Sequence, residues 1–191
     1  MFTRRAATWG ALGAMISTFA HTAPLQGESI DIGPVVGAHV PAFAAIDASG
    51  AHRSLASLYG RKGLVLVFFR SARWCPYCQR QLMDLRAVQD ALAQRGYTLA
   101  AISYDKPDAL TTFAQKWNIR YTLLSDDGSA MIDAFHLRDP QYKPDSFAFG
   151  VPKPSIFVID RRGIVRAKIA REGYQIRPSN AEILVAADSV R

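Results

Sequence analysis

The residues best equipped for chemistry are the two cysteines of the sequence, three positions apart in Trp74-Cys75-Pro76-Tyr77-Cys78. The unbroken apolar run Leu64-Val65-Leu66-Val67-Phe68-Phe69 precedes them and a segment of helical periodicity follows, so the pair sits where a strand hands over to a helix. With Cys75 at the N-cap and Pro76 at the first helical position, the N–H groups of Tyr77 and Cys78 can point at the Cys75 sulfur. A free thiol has a pKa of about 8.5, and a helix N-terminus with nearby cations lowers it to about 3.5 to 7.5. Arg70, Arg73 and Arg80 are close in sequence, and Arg70 and Arg73 are candidates for stabilising the thiolate. Cys78 lies one turn on, roughly 5 to 6 Å away and within disulfide reach. Cys75 then reads as the attacking thiolate and Cys78 as the resolving thiol.

Other uses of the pair fit less well. A zinc half-site needs two further ligands, yet there is no third cysteine, and His39, His52 and His136 lack the spacing of a second half. A purely structural disulfide closing so small a loop constrains little of the unfolded chain. Holding Cu(I) between two thiolates remains a non-enzymatic alternative. No metal or other cofactor is expected.

The scaffold that must hold these residues reads as α/β. Phe43 to Asp47 and Ala51 to Leu55 are two short strands around Ser49-Gly50, followed by a short helix to Tyr59. A helix is expected from Pro76 to Gln94, with Leu82, Leu85, Val88 and Leu92 on one face and Gly96 behind it. A strand over 97–104, a helix to Trp117 with Pro107 in its first turn, a strand over 121–125 and a short helix to Leu137 continue the alternation. Arg138 to Lys153 has four Pro or Gly residues and no periodicity, so it is a long loop. A hairpin over 155–170 and a helix opened by the capping box Ser179/Glu182 complete the chain.

Residues 1–20 carry Arg4 and Arg5 before an Ala- and Gly-rich apolar run, the pattern of a secretory signal peptide. Residues 21–36 read as an extended lead-in and 37–191 as the domain. An exported, periplasmic location, or the outer face of the cytoplasmic membrane if the leader is uncleaved, makes disulfide chemistry available to the cysteines. Of the formal charge of +7, loss of two arginines with the leader leaves about +5, spread without a basic run. That pattern speaks against nucleic acid as a partner.

The run from Val65 to Leu85, together with Pro154 before Ser155-Ile156-Phe157-Val158-Ile159-Asp160, resembles the thioredoxin superfamily. Over residues 34–191 the order of elements resembles its redoxin branch, the alkyl hydroperoxide reductase/thiol-specific antioxidant (AhpC/TSA) proteins and their thiol-disulfide relatives. The resemblance implies a thioredoxin-like fold with a mixed central sheet and a short N-terminal β extension. It implies substrate contacts at Trp74, Pro76, Tyr77, Lys153 and Pro154, with Pro154 in the cis form and the Lys153 backbone pairing with a partner's extended chain. Against the peroxiredoxin signature Pro-x-x-x-Thr-x-x-Cys, Phe68 stands at the Pro position and Ala72 at the Thr position. Pro154 stands where those proteins place an arginine, so the usual donors to a bound peroxide are missing. Thioredoxins also carry a buried acid that accepts the proton of the resolving cysteine, and Asp84 and Asp105 are the candidates here. The loop Arg138 to Lys153 feeds directly into Pro154 and is therefore expected beside Cys75, where Tyr142, Phe147 and Phe149 would gate or select the substrate. The expected activity is that of an exported thiol-disulfide oxidoreductase acting on protein or small-molecule thiols and disulfides. The alternative is a peroxiredoxin-like antioxidant peroxidase, which takes hydroperoxides and needs a separate thiol reductant.

Overall fold

The computed structural model describes residues 27–190. The leader at 1–20 lies outside them. Seven strands form one mixed sheet: β1 (Ala44–Asp47), β2 (His52–Ser54), β3 (Gly63–Phe68), β4 (Tyr97–Ser103), β5 (Thr122–Ser125), β6 (Ser155–Asp160) and β7 (Val165–Ala170). Their spatial order is β2-β1-β5-β4-β3-β6-β7. The three inner strands β3, β4 and β5 run parallel, as their helical crossovers require, while β6 lies antiparallel to β3 and hairpins into β7.

β3 shows why its sequence is apolar throughout. All six of its residues are buried. Val65 and Val67 face a core with Leu82, Leu85, Val88, Leu92 and Ile183. Leu64, Leu66 and Phe68 face a second core with Phe157, Phe135 and Ile132. A strand covered on both faces loses the alternation that a one-sided strand keeps. It begins on Gly63 because a Cβ there would meet the Ile159 carbonyl oxygen at 1.9 Å.

The single helix expected over 76–94 is two, α1 (Pro76–Asp84) and α2 (Arg86–Gln94), joined at Leu85. The buried hydroxyl of Tyr121 donates to the Leu82 carbonyl at 2.7 Å, the acceptor that an unbroken helix would offer to the Arg86 N–H. A side chain inserted in this way interrupts the ladder. Three further helices follow, α3 (Pro107–Trp117), α4 (Ala130–Ala134) and α5 (Asn180–Asp188), the last opened by the expected capping box.

Within the described residues the end of the lead-in and the first residues of the domain, 28–40, form a covering element. Gly37 and Val40 donate to the carbonyls of Val165 and Gly163, Val165 returns a bond to Ala38, and Ile30 donates to Ala170. The segment thus occupies the free edge of β7, which would otherwise present unpaired backbone groups to other chains.

Candidate active site

The loop between β3 and α1 is held from below by one carboxylate. Asp105, buried at the end of β4, accepts from the Ser71 hydroxyl at 2.7 Å, the Ala72 N–H at 2.6 Å and the Ser103 hydroxyl at 3.0 Å. Ser71 in turn accepts from the N–H of Arg73 at 2.9 Å, and Gln79 of α1 donates back to the Ala72 carbonyl at 2.8 Å. Burial pushes the Asp105 carboxyl upward, and the bonds from Ser71, Ala72 and Ser103 work the other way. Its oxygens are committed to the loop. Asp84, the other candidate acceptor, is exposed and faces Arg80 at 3.9 Å. Neither aspartate therefore takes the place expected of a proton acceptor for Cys78.

Cys75 is the N-cap of α1, Pro76 is its first residue, and the Cys78 N–H donates to the Cys75 sulfur at 3.2 Å. The two cysteines form a disulfide with their Cα atoms 5.2 Å apart. Both are buried, at 1% and 0% exposure. The Nη2 of Arg177, in the segment before α5, lies 3.3 Å from the Cys78 sulfur. Sequence reading missed this residue, which is 99 positions from Cys78 and belongs to no motif.

Arg70 is 1% exposed. Its guanidinium carbon lies 5.4 Å from the centre of the Trp74 ring, 4.7 Å from that of Tyr142 and 4.4 Å from that of Tyr174. Cation–π contact stabilises such a charge, and Nη2 also donates to the Tyr142 hydroxyl. Its Nε and Nη1 are buried without partners. Among the described residues no carboxylate pairs with Arg70 or Arg177. Burial first, and the charge of Arg70 second, push the Arg177 guanidinium down to about 10, which leaves it cationic at neutral pH.

The long loop reaches the site through Tyr142 and Phe147, whereas Phe149, also expected there, stacks on Arg138 at 4.7 Å. Tyr142 packs on Arg70, and Phe147 stacks edge-on against Trp74 at 5.1 Å. The Trp74 indole N–H donates to the Tyr104 hydroxyl, which donates to the Phe147 carbonyl. Tyr77 is 40% exposed and meets Tyr174 edge-on, and Pro76 is exposed beside it.

Three expected residues are placed differently. Arg73 is exposed and lines a separate groove with Lys106 and Lys116. The peptide before Pro154 is trans, for no cis peptide occurs among the described residues. The Lys153 N–H donates to the Leu137 carbonyl at 2.7 Å, so the chain's own loop fills the pairing position expected for a partner strand.

A model of the AhpC/TSA family matches residues 36–168. The chain is 28% identical over 145 residues to the chloroplastic Peroxiredoxin Q of Sedum lineare, covering 76% of this chain and 74% of that one. It is 35% identical over 95 residues to Peroxiredoxin Bcp of Escherichia coli, covering 50% of this chain and 60% of that one. Among solved structures, Peroxidoxin BcpB from Mycobacterium tuberculosis superposes with a TM-score of 0.70 at 24% identity, over 84% of this chain and 99% of that one.

Proposed function

The chain belongs to the AhpC/TSA family, and from that premise we propose that it is a thiol peroxidase of the peroxiredoxin type. The Cys75 thiolate attacks one oxygen of a hydroperoxide. A sulfur–oxygen bond forms, the O–O bond breaks, and the alcohol or water leaves with a proton, so that Cys75 becomes a sulfenic acid. Cys78 then attacks the Cys75 sulfur and expels water, which closes the disulfide present in the structure. An external thiol returns the two electrons.

The observation that carries this reading is a pair of guanidinium groups without carboxylate partners near the Cys75–Cys78 end of α1, Arg70 fully buried and Arg177 half-buried with its Nη2 on the Cys78 sulfur. They supply positive charge for a thiolate and N–H donors for a peroxide leaving oxygen, in place of the donors that Ala72 and Pro154 lack. Trp74, Pro76 and Tyr77 form the rim, and the loop carrying Tyr142 and Phe147 covers the approach. An exported location belongs to the same proposal and rests on residues 1–20.

Thiol–disulfide exchange is the second reading. It is favoured by the absence of a hydroxyl at Ala72 and of an arginine at Pro154, and it uses the same Cys75 attack and Cys78 resolution. Cys78→Ser separates the two. On brief peroxide exposure a sulfenic acid should accumulate on Cys75 and be captured by a dimedone-type reagent. Failure to capture it, with ready formation of mixed disulfides on the same cysteine, would overturn the peroxidase reading.

A further inference from the structure

A groove of about 880 Å³ runs along α1 and α2 beside the segment that leads into α5, a size that suits a small molecule. Four arginines line it, Arg80, Arg86, Arg120 and Arg177, against Asp84 and Asp90. Arg86 already donates to the carbonyls of Met83 and Trp117, and Arg80 faces Asp84 only at 3.9 Å. The groove therefore carries an excess of positive charge, with two carboxylates for a smaller cationic group. Its inner wall holds two incomplete hydrogen-bonding groups. Gln81 is 6% exposed, and its Oε1 is buried without a donor. The Nε of Arg177 is buried without an acceptor. Atoms left in this state disfavour the empty site. Donors and acceptors of the kind a peptide-like ligand carries suit these two residues: an N–H for Gln81 and a carbonyl or carboxylate oxygen for Arg177.

We propose that this groove seats the thiol reductant, and that the reductant is a small peptide-like thiol with more carboxylates than ammonium groups. The proposal rests on the thiol peroxidase reading and names the source of its electrons. Arg177 connects the groove to the chemistry, since it both lines the groove and touches the Cys78 sulfur at 3.3 Å. That sulfur is otherwise buried, so an incoming thiolate reaches it by displacing the guanidinium while keeping its charge alongside. The thiolate attacks Cys78. A sulfur–sulfur bond to the reductant forms, the Cys75–Cys78 bond breaks, and Cys75 leaves as a thiolate that the Cys78 N–H already faces at 3.2 Å. A second reductant thiolate then attacks the reductant sulfur of the mixed disulfide. The oxidised reductant departs as its own disulfide and Cys78 takes up a proton. Two thiols are oxidised and one protein disulfide is reduced.

The test follows reduction of the isolated disulfide form of the full chain by stopped flow, with glutathione and cysteamine compared at equal thiolate concentration. Glutathione carries two carboxylates, one ammonium and two amides; cysteamine carries an ammonium and no carboxylate. Glutathione should saturate and react at least tenfold faster below saturation. In Arg80→Ala/Arg120→Ala the ratio of the two rates should fall toward one, and quenched digests of the native chain should carry glutathione on Cys78. Equal, unsaturating rates for both thiols, a ratio unchanged in the double variant, glutathione mapped to Cys75, or an acidic protein reductant outrunning glutathione would each overturn the groove assignment. Peroxide oxidation of the dithiothreitol-reduced chain is measured separately. Its failure would remove the peroxidase reading whatever the reduction rates show.

Discussion

Arg70 is a charged group held among the rings of Trp74, Tyr142 and Tyr174, with the Arg177 guanidinium near enough to feel its charge. Taking a cation out of water without a counter-charge works against folding, and cation–π contact offsets that only in part. The balance changes when a nearby sulfur ionises, because a thiolate supplies the missing negative charge. Arg70→Met keeps most of the volume and removes the charge, so stability and activity should part company. Urea unfolding of the variant should show a midpoint equal to or above that of the native chain. The rate of Cys75 oxidation by peroxide should fall at least tenfold, as expected for loss of a donor at a site of developing charge. A lower midpoint with an unchanged oxidation rate would make Arg70 a structural residue. Its position in the sequence is suggestive, but its burial and its ring partners Tyr142 and Tyr174 are not legible there. Those partners come from a loop with no periodicity and from a segment more than a hundred residues downstream.

At the scale of elements, the turn after β1 shows how one buried carboxylate fixes a local structure. Asp47 accepts from the Ser49 hydroxyl and N–H, the Ala51 N–H and the Arg53 side chain. Burial alone would raise its pKa; the bonds from Ser49, Arg53 and Ala51 together outweigh it and hold the carboxyl at about 2, against an ordinary value of 3.8. A depressed carboxyl contributes stability that is fully present above the ordinary value and is lost as the pH falls through the folded one. Denaturant unfolding between pH 5 and pH 2 should therefore show a loss of about 2 kcal/mol that Asp47→Asn abolishes. An acid limb unchanged in the variant would contradict the assignment. The strands, the capping box and the N-cap position of Cys75 follow from local patterns and are read correctly. The break at Leu85 is not local, since Tyr121, 39 residues from the Leu82 carbonyl it takes, sets it. Periodicity through Leu82, Leu85, Val88 and Leu92 carries on across it and hides it.

For the molecule as a whole, the alternation of strand and helix and the unbroken apolar run of β3 fix an α/β domain with a doubly covered sheet. The strand-to-helix junction fixes where Cys75 must lie. Two features depend on distant segments meeting, and pattern alone misses them. One is the docking of residues 30–40 along β7, where Gly and Pro punctuation suggests only an extended chain. The other is Arg177 on the Cys78 sulfur, which answers the missing proton acceptor with a fixed charge. The sequence by itself favours disulfide exchange because the usual peroxide donors are absent, whereas the Arg70–Arg177 guanidinium pair and the peroxiredoxin relatives favour peroxide. The direct comparison is the rate of Cys75 thiol loss in the reduced protein, with hydrogen peroxide in one cell and a disulfide-bonded peptide in the other. Oxidation by peroxide should be faster by at least tenfold. Faster reaction with the peptide disulfide would contradict the peroxidase account and make exchange between proteins the activity of this site.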